Sequence, residues 1–258
     1  MHRSLVFGLI AGSLGAGFIA AAAGAENVTI PAAAGLPQIS GYLARPSSPG
    51  PAPAVLVLPG CEGLTPMNTA TADDLAGHGF VGLTIDVNGA LGVRNACTDA
   101  RTLAPLGARY AAASLGWLAN QSYTKPNQLG IVGYSMGAIE VLDLIDPWTP
   151  APPPAGLRVA VAYYPNCEGR PASITVPLQI LDGAADDWTP SQPCQTLAQT
   201  AAAAGKPVQI TTYPGVTHAF NQPSNSTRHY LGHTLIYDPK ASADADVKTM
   251  AFFAQYLH

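Results

Sequence analysis

After residue 50 the chain alternates two hydrophobic patterns. Unbroken apolar runs occur at Ala54 to Leu58 and Leu129 to Val132, and mainly apolar strand-like segments at Phe80 to Ile85, Leu157 to Tyr163, Val176 to Leu181 and Val208 to Tyr213. Runs of this length without polar alternation are the mark of strands buried on both faces. Between them lie segments with helical spacing: Thr71 to His78, Thr98 to Asn120, the stretch from Ala138 that stops at Asp146-Pro147, Cys194 to Ala204 ending at Gly205, and a closing helix from Ala241 to Leu257. In the longest of these, Leu103, Leu106, Ala111, Leu115 and Leu118 fall near one face. Proline and glycine punctuate the helix ends as their backbone restrictions require. Repeated strand–helix alternation predicts an α/β fold, a mainly parallel sheet flanked by helices on both faces. Asn27 to Ile30 and Gln38 to Ala44 predict a strand pair at one edge of that sheet.

The Pro/Ser-rich stretch Pro46 to Pro53 and the Pro-rich loop Trp148 to Ala155 are too short for domain linkers. A single domain over residues 26–258 is predicted, long enough to bury a sizeable core. Ahead of it, His2 and Arg3 precede an apolar, small-residue stretch from Leu5 to Ala23, and Ala23-Gly24-Ala25 fits a small-x-small cleavage site. Residues 1–25 therefore predict an export signal, with Glu26 first in the mature chain and a periplasmic or secreted product.

Composition narrows the partners. With 12 Lys+Arg against 16 Asp+Glu the net charge is −4. No basic cluster occurs, so nucleic acid is not expected. Low charge gives little steering of ionic ligands and leans towards neutral small molecules. No other stretch is apolar enough to span a bilayer. The oligomeric state is not readable. Four cysteines, Cys61, Cys97, Cys167 and Cys194, show no metal-ligand spacing. In an exported chain they predict two disulfides from three possible connectivities. The pairing Cys61–Cys97 with Cys167–Cys194 is preferred, since each would join two loops on one edge of a parallel sheet.

The chemistry centres on Gly133-Tyr134-Ser135-Met136-Gly137, which lies between an apolar run and a helical one. A serine at such an elbow projects its hydroxyl into a cleft, and the flanking glycines allow the tight turn. A serine nucleophile needs a base and a group that orients the base. Two late strand ends supply them: Asp182, Asp186 and Asp187 follow one, and His218 follows the next. Serine, acid and histidine in that chain order is the order of α/β-hydrolases. His218 would relay the hydroxyl proton and an aspartate would fix its tautomer. The backbone N–H groups of Met136 and Cys61 would form an oxyanion hole. Glu62, Tyr164, Trp188 and Phe220 are candidate substrate-binding residues. No cofactor or metal is implied.

Four segments together resemble the dienelactone hydrolase family of α/β-hydrolases: Leu58 to Leu64, Gly133 to Ala138, Gly183 to Pro190 and Tyr213 to Phe220. The resemblance extends to Tyr237-Asp238 and the terminal helix. It implies that Ser135, Asp186 and His218 are the triad, and it selects Asp186 over Asp187. It also implies a hydrolase acting on a small-molecule ester, here an exported serine carboxylesterase with an acyl-enzyme. Departures from the family pattern bear on substrate. The dienelactone-cleaving members use a cysteine where Ser135 stands, and a first-loop glutamate aligns with Gly60. Arg94 and Arg228 are counterparts to be weighed for their carboxylate-holding arginines. Two other readings of the same residues are a non-catalytic exported binding protein and an amide or peptide hydrolase using the same triad.

Overall fold

A computed structural model describes residues 22–148 and 152–258. Most of the predicted export signal, and part of the Pro-rich loop after Trp148, lie outside the described residues. The elements run β1 (Ala22–Ile30), β2 (Ile39–Pro46), β3 (Ala52–Leu58), α1 (Pro66–Gly77), β4 (Val81–Ile85), α2 (Val87–Leu91), α3 (Ala100–Ala119), β5 (Thr124–Tyr134), α4 (Met136–Ile145), β6 (Leu157–Tyr163), β7 (Leu178–Gly183), α5 (Ser191–Ala203), β8 (Val208–Tyr213), β9 (Arg228–Tyr230), β10 (His233–Leu235) and α6 (Pro239–Tyr256).

Eight strands form one sheet in the order β1-β2-β4-β3-β5-β6-β7-β8. The edge pairs β1·β2 and β2·β4 are antiparallel, and every pair from β4 onward is parallel. Alternate side chains of each strand enter two separate cores. In β3, Leu56 and Leu58 pack towards α3 and α4, while Val55 and Val57 pack towards α1 and α6. All four are fully buried, as the unbroken apolar run predicts. The fold is thus the expected α/β architecture with helices on both faces.

The differences are local. α1 starts at Pro66, five residues before the first position that its apolar spacing marks. Its first turn is polar, and Asn68 Oδ1 accepts from the Thr65 backbone N–H at 2.9 Å. Proline at the first helical position, where its missing N–H costs nothing, is the local signal. The polar stretch after Phe220 contains an unforeseen hairpin, β9·β10. Its turn residues Leu231 and Gly232 both have positive φ, 50° and 86°, the backbone that a two-residue hairpin turn demands.

The topology also places the chemistry. β3 and β5 are neighbours, but the chain leaves β3 to build outwards through β4 and then returns to build the other way from β5. Loops at such a reversal diverge and leave a crevice beyond the carboxyl ends of the strands. The loop Pro59–Leu64 and the elbow at Ser135 flank that crevice.

Candidate active site

Ser135 is the single residue between β5 and α4. It holds φ 53°, ψ −110°, a conformation that side chains avoid because Cβ crowds the backbone. The two glycines of the motif make it possible. A Cβ at Gly133 would lie 2.2 Å from the Gly137 carbonyl oxygen, and one at Gly137 would lie 2.4 Å from that of Leu58. Both neighbours are backbone, so neither can move aside. Tyr164 and Ala219 also carry positive φ, 42° and 54°. Strained backbone therefore gathers around the histidine: Tyr164 packs its ring 4.6 Å from that of His218, and Ala219 is its chain neighbour.

Ser135 Oγ lies 2.9 Å from His218 Nε2. His218 Nδ1 lies 2.7 Å from Asp186 Oδ2. An ionised carboxylate only accepts, so Nδ1 carries the proton towards Asp186 and Nε2 is free to accept from the serine hydroxyl. His218 and Asp186 side chains are 2% and 1% exposed, which keeps water from competing for these bonds. Burial pushes the Asp186 carboxyl up. The bond and charge of His218, with the backbone N–H groups of Thr189 and Trp188, outweigh it and hold the carboxyl below its usual range. Both N–H groups donate to Asp186 Oδ1 at 2.8 Å. Thr189 Oγ1, which donates to the Tyr164 carbonyl at 3.1 Å, sits 3.0 Å from His218 Nδ1. Motif reading does not single out this hydroxyl, which touches the ring on its Asp186 side.

Of the other acids, Asp187 turns away. It accepts from the Thr234 N–H at 3.3 Å and pairs with His233 at 3.4 Å, so it braces the β9·β10 hairpin. Asp182 is buried on the opposite face of β7, and neither of its carboxylate oxygens has a hydrogen-bond partner among the described residues. Burial, then the charge of Asp186, raises its pKa well above the usual carboxylate range.

Met136 is the first residue of α4, so its N–H has no intrahelical acceptor and is available to a ligand. The facing loop is held from several sides. A Gly63 N–H to Gly60 carbonyl bond at 3.0 Å closes a turn around Cys61. The Cys61 carbonyl accepts from the Ala96 N–H and from Asn88 Nδ2, both at 2.9 Å. Its side chain is bonded to Cys97, and the second disulfide joins Cys167 to Cys194. The loop passes close to the serine: a Cβ at Gly60 would be in ordinary contact, 3.8 Å, with Ser135 Cβ.

The pocket over Ser135 and His218 is lined by Cys61, Glu62, Trp188, Gln222, Tyr230 and Leu235. Trp188 stacks on His233 with ring centroids 4.8 Å apart. The structure corrects two of the four expected substrate contacts. Tyr164, just past β6, and Phe220, in the loop that carries His218, are fully buried behind His218 in the core under α6, where their rings pack edge to face. The hairpin adds to the pocket wall Tyr230, whose hydroxyl accepts from Asn95 Nδ2 at 2.9 Å, and Leu235.

The dienelactone hydrolase family model matches residues 39–257. The chain belongs to the dienelactone hydrolase family. A family relative from Bradyrhizobium, named "Probable 2-oxo-3-(5-oxofuran-2-ylidene)propanoate lactonase", is 27% identical over 201 residues, covering 70% of this chain and 78% of its own. Among solved structures, a dienelactone hydrolase-like promiscuous phosphotriesterase from metagenomic libraries superposes with a TM-score of 0.71 at 18% identity, covering 91% of this chain and 99% of its own. A thermophilic esterase of Thermogutta terrifontis with propionate bound gives 0.66 at 17% identity, covering 90% and 94%. At these identities the two structures speak for the dienelactone hydrolase fold. The family is one of hydrolases, and the Bradyrhizobium relative is named for lactone chemistry.

Proposed function

We propose that this protein is an exported serine hydrolase that cleaves carboxylic esters of small molecules through an acyl-enzyme. The observation that carries the reading is the buried hydrogen-bonded row from Ser135 through His218 to Asp186. In the first half-reaction Ser135 Oγ attacks the acyl carbon while His218 Nε2 takes its proton. Negative charge developing on the carbonyl oxygen is met by the N–H groups of Met136 and Cys61. Asp186 stabilises the imidazolium and keeps its ring in register. His218 then returns the proton to the departing alkoxide. In the second half-reaction water gives a proton to His218 and attacks the acyl carbon; the bond to Ser135 Oγ then breaks and His218 returns that proton to Oγ, which releases the acid and restores Ser135.

Export is supported by the leader-like residues 1–25 and by two disulfides, which persist in oxidising compartments. Among the described residues no helix is long and apolar enough to cross a membrane. The mature domain would begin at Glu26, and Glu26–Ile30 would keep its pairing with Ile39–Leu43. The test is hydrolysis of p-nitrophenyl acetate and butyrate by purified protein beside Ser135→Ala. Turnover lost in the folded variant is the expected result. Equal turnover in both would refute the serine mechanism. A folded protein with no turnover of either ester would favour a binding protein on this fold.

A further inference from the structure

The pocket directly over Ser135 holds only about 30 Å³, room for the reacting atoms and a water or two. Beside it lies a cavity of about 710 Å³ between α1 and α6, within the range of small-molecule sites. The two share Glu62 and Gln222 as common walls, so a ligand bonded at Ser135 has its nearest large space there. Both helices cover the same face of the sheet. Towards solvent their facing positions include Ala70 and Asp74 on α1 and Asp246 on α6, all exposed. Such residues do not interlock as apolar side chains do, and the two carboxylates repel, which keeps the gap open.

The lining specifies what would fit. The sheet contributes Val132, Tyr134 and Tyr163 as an apolar and aromatic floor, with Met67 of α1 and Met250 and Phe253 of α6 on the sides. Methionine packs adaptably against aromatic rings. The polar groups combine the carboxylates of Glu62, Asp74 and Asp246 with hydroxyls that can donate or accept. Asp246 receives a long 3.4 Å bond from Tyr163, whose hydroxyl also lies 2.8 Å from Thr249 Oγ1. The Tyr134 hydroxyl has a 3.5 Å contact with Thr71 Oγ1. Arg228, at the mouth, is engaged by Gln222 Oε1. Two rim carboxylates disfavour an anion and favour a group that donates hydrogen bonds.

Resting on the serine esterase reading, we infer that the cavity between α1 and α6 receives the larger half of the ester, and that this half is an uncharged aromatic group bearing a hydroxyl. It is the specificity pocket of the site, and Glu62 and Gln222 are its threshold.

The experiment uses two substrate series. In one the acyl half grows: p-nitrophenyl acetate, then the p-nitrophenyl esters of 4-hydroxycinnamic and 4-carboxycinnamic acids. In the other the alcohol half grows: phenyl acetate, then the monoacetates of 4,4'-dihydroxybiphenyl and of 4'-hydroxybiphenyl-4-carboxylic acid. In one series kcat/KM for the hydroxylated member should exceed that of both the small parent and the carboxylated member by at least about tenfold. Ala70→Trp, a substitution on the exposed face of α1 that fills the cavity, should reduce the advantage over the parent by about tenfold or more. The double variant Asp74→Asn, Asp246→Asn should narrow the gap between hydroxylated and carboxylated members. Ratios that stay within about twofold in Ala70→Trp, or a preference for the carboxylated member, would overturn the inference. Acetate turnover that needs Ser135 while the ratios do not move would sink this proposal alone. No Ser135-dependent turnover of any ester would sink the esterase reading beneath it.

Discussion

At the scale of single residues, the environment decides which of three nearby aspartates can serve the histidine. Asp186 is buried yet held ionised by His218 and two backbone N–H groups, whereas Asp187 is engaged by the hairpin. Asp186→Asn should lower kcat by roughly 10⁴-fold by favouring the wrong imidazole tautomer, while Asp187→Asn should stay within about tenfold; steady-state kinetics on p-nitrophenyl butyrate rank the two. Because the folded-state pKa of Asp186 is depressed, its stabilising contribution is fully present above the unfolded carboxylate value of about 3.9 and is lost as pH falls through the folded value. Asp182 and Glu140 have the opposite sign. Both are buried, and burial raises each carboxyl well above its usual range. Each therefore destabilises the fold increasingly as pH rises above the unfolded value. Asp182→Asn and Glu140→Gln should raise the melting temperature at pH 8 by about 2–4 °C for each kcal/mol relieved, and change it much less at pH 4. A larger gain at pH 4 than at pH 8 would contradict this.

At the scale of elements, the elbow was legible because three constraints coincide in a few residues: an apolar strand, two glycines whose Cβ atoms would strike backbone, and a helix that begins at once. The inner strands β3 to β7 were legible for a similar reason, since burial on both faces leaves few polar positions to blur the run. The hairpin β9·β10 was not. Its strands are three residues each and mostly polar, and its stability comes from outside, through a bridge between Leu235 and His218 and the stacking of His233 on Trp188. Tyr230 and Leu235 were missed with it, and Tyr164 and Phe220 were misplaced because a position in a loop beyond a strand does not reveal which way a side chain turns. The disulfides divide the labour of the loops. Each closes a loop of 36 or 27 residues in separation, worth about 3–4 kcal/mol in the chain-entropy model. Cys61–Cys97 additionally holds the peptide proposed to donate to the oxyanion. The double variant Cys61→Ser, Cys97→Ser should lose about tenfold or more in kcat as well as melting temperature, while Cys167→Ser, Cys194→Ser should lose melting temperature with kcat nearly intact. Equal kcat losses in the two would show that Cys61–Cys97 has no special bearing on the site.

At the scale of the whole molecule, the reversal of strand order beside β3 opens a crevice, and the elbow, the first loop and the histidine loop all meet over it. Family membership fixes the fold and the hydrolase chemistry. On that fold this chain places a serine at the elbow, a disulfide on the facing loop and a large cavity between α1 and α6 that adjoins the reacting atoms. The central claim is that Ser135 is the nucleophile activated by His218. It is tested most directly with an aryl phosphonate carrying a p-nitrophenol leaving group. Release of one p-nitrophenolate per protein, one mass adduct on the peptide containing Ser135, and no adduct in His218→Ala is the predicted result. An adduct on another residue, or equal labelling of Ser135→Ala, would contradict it.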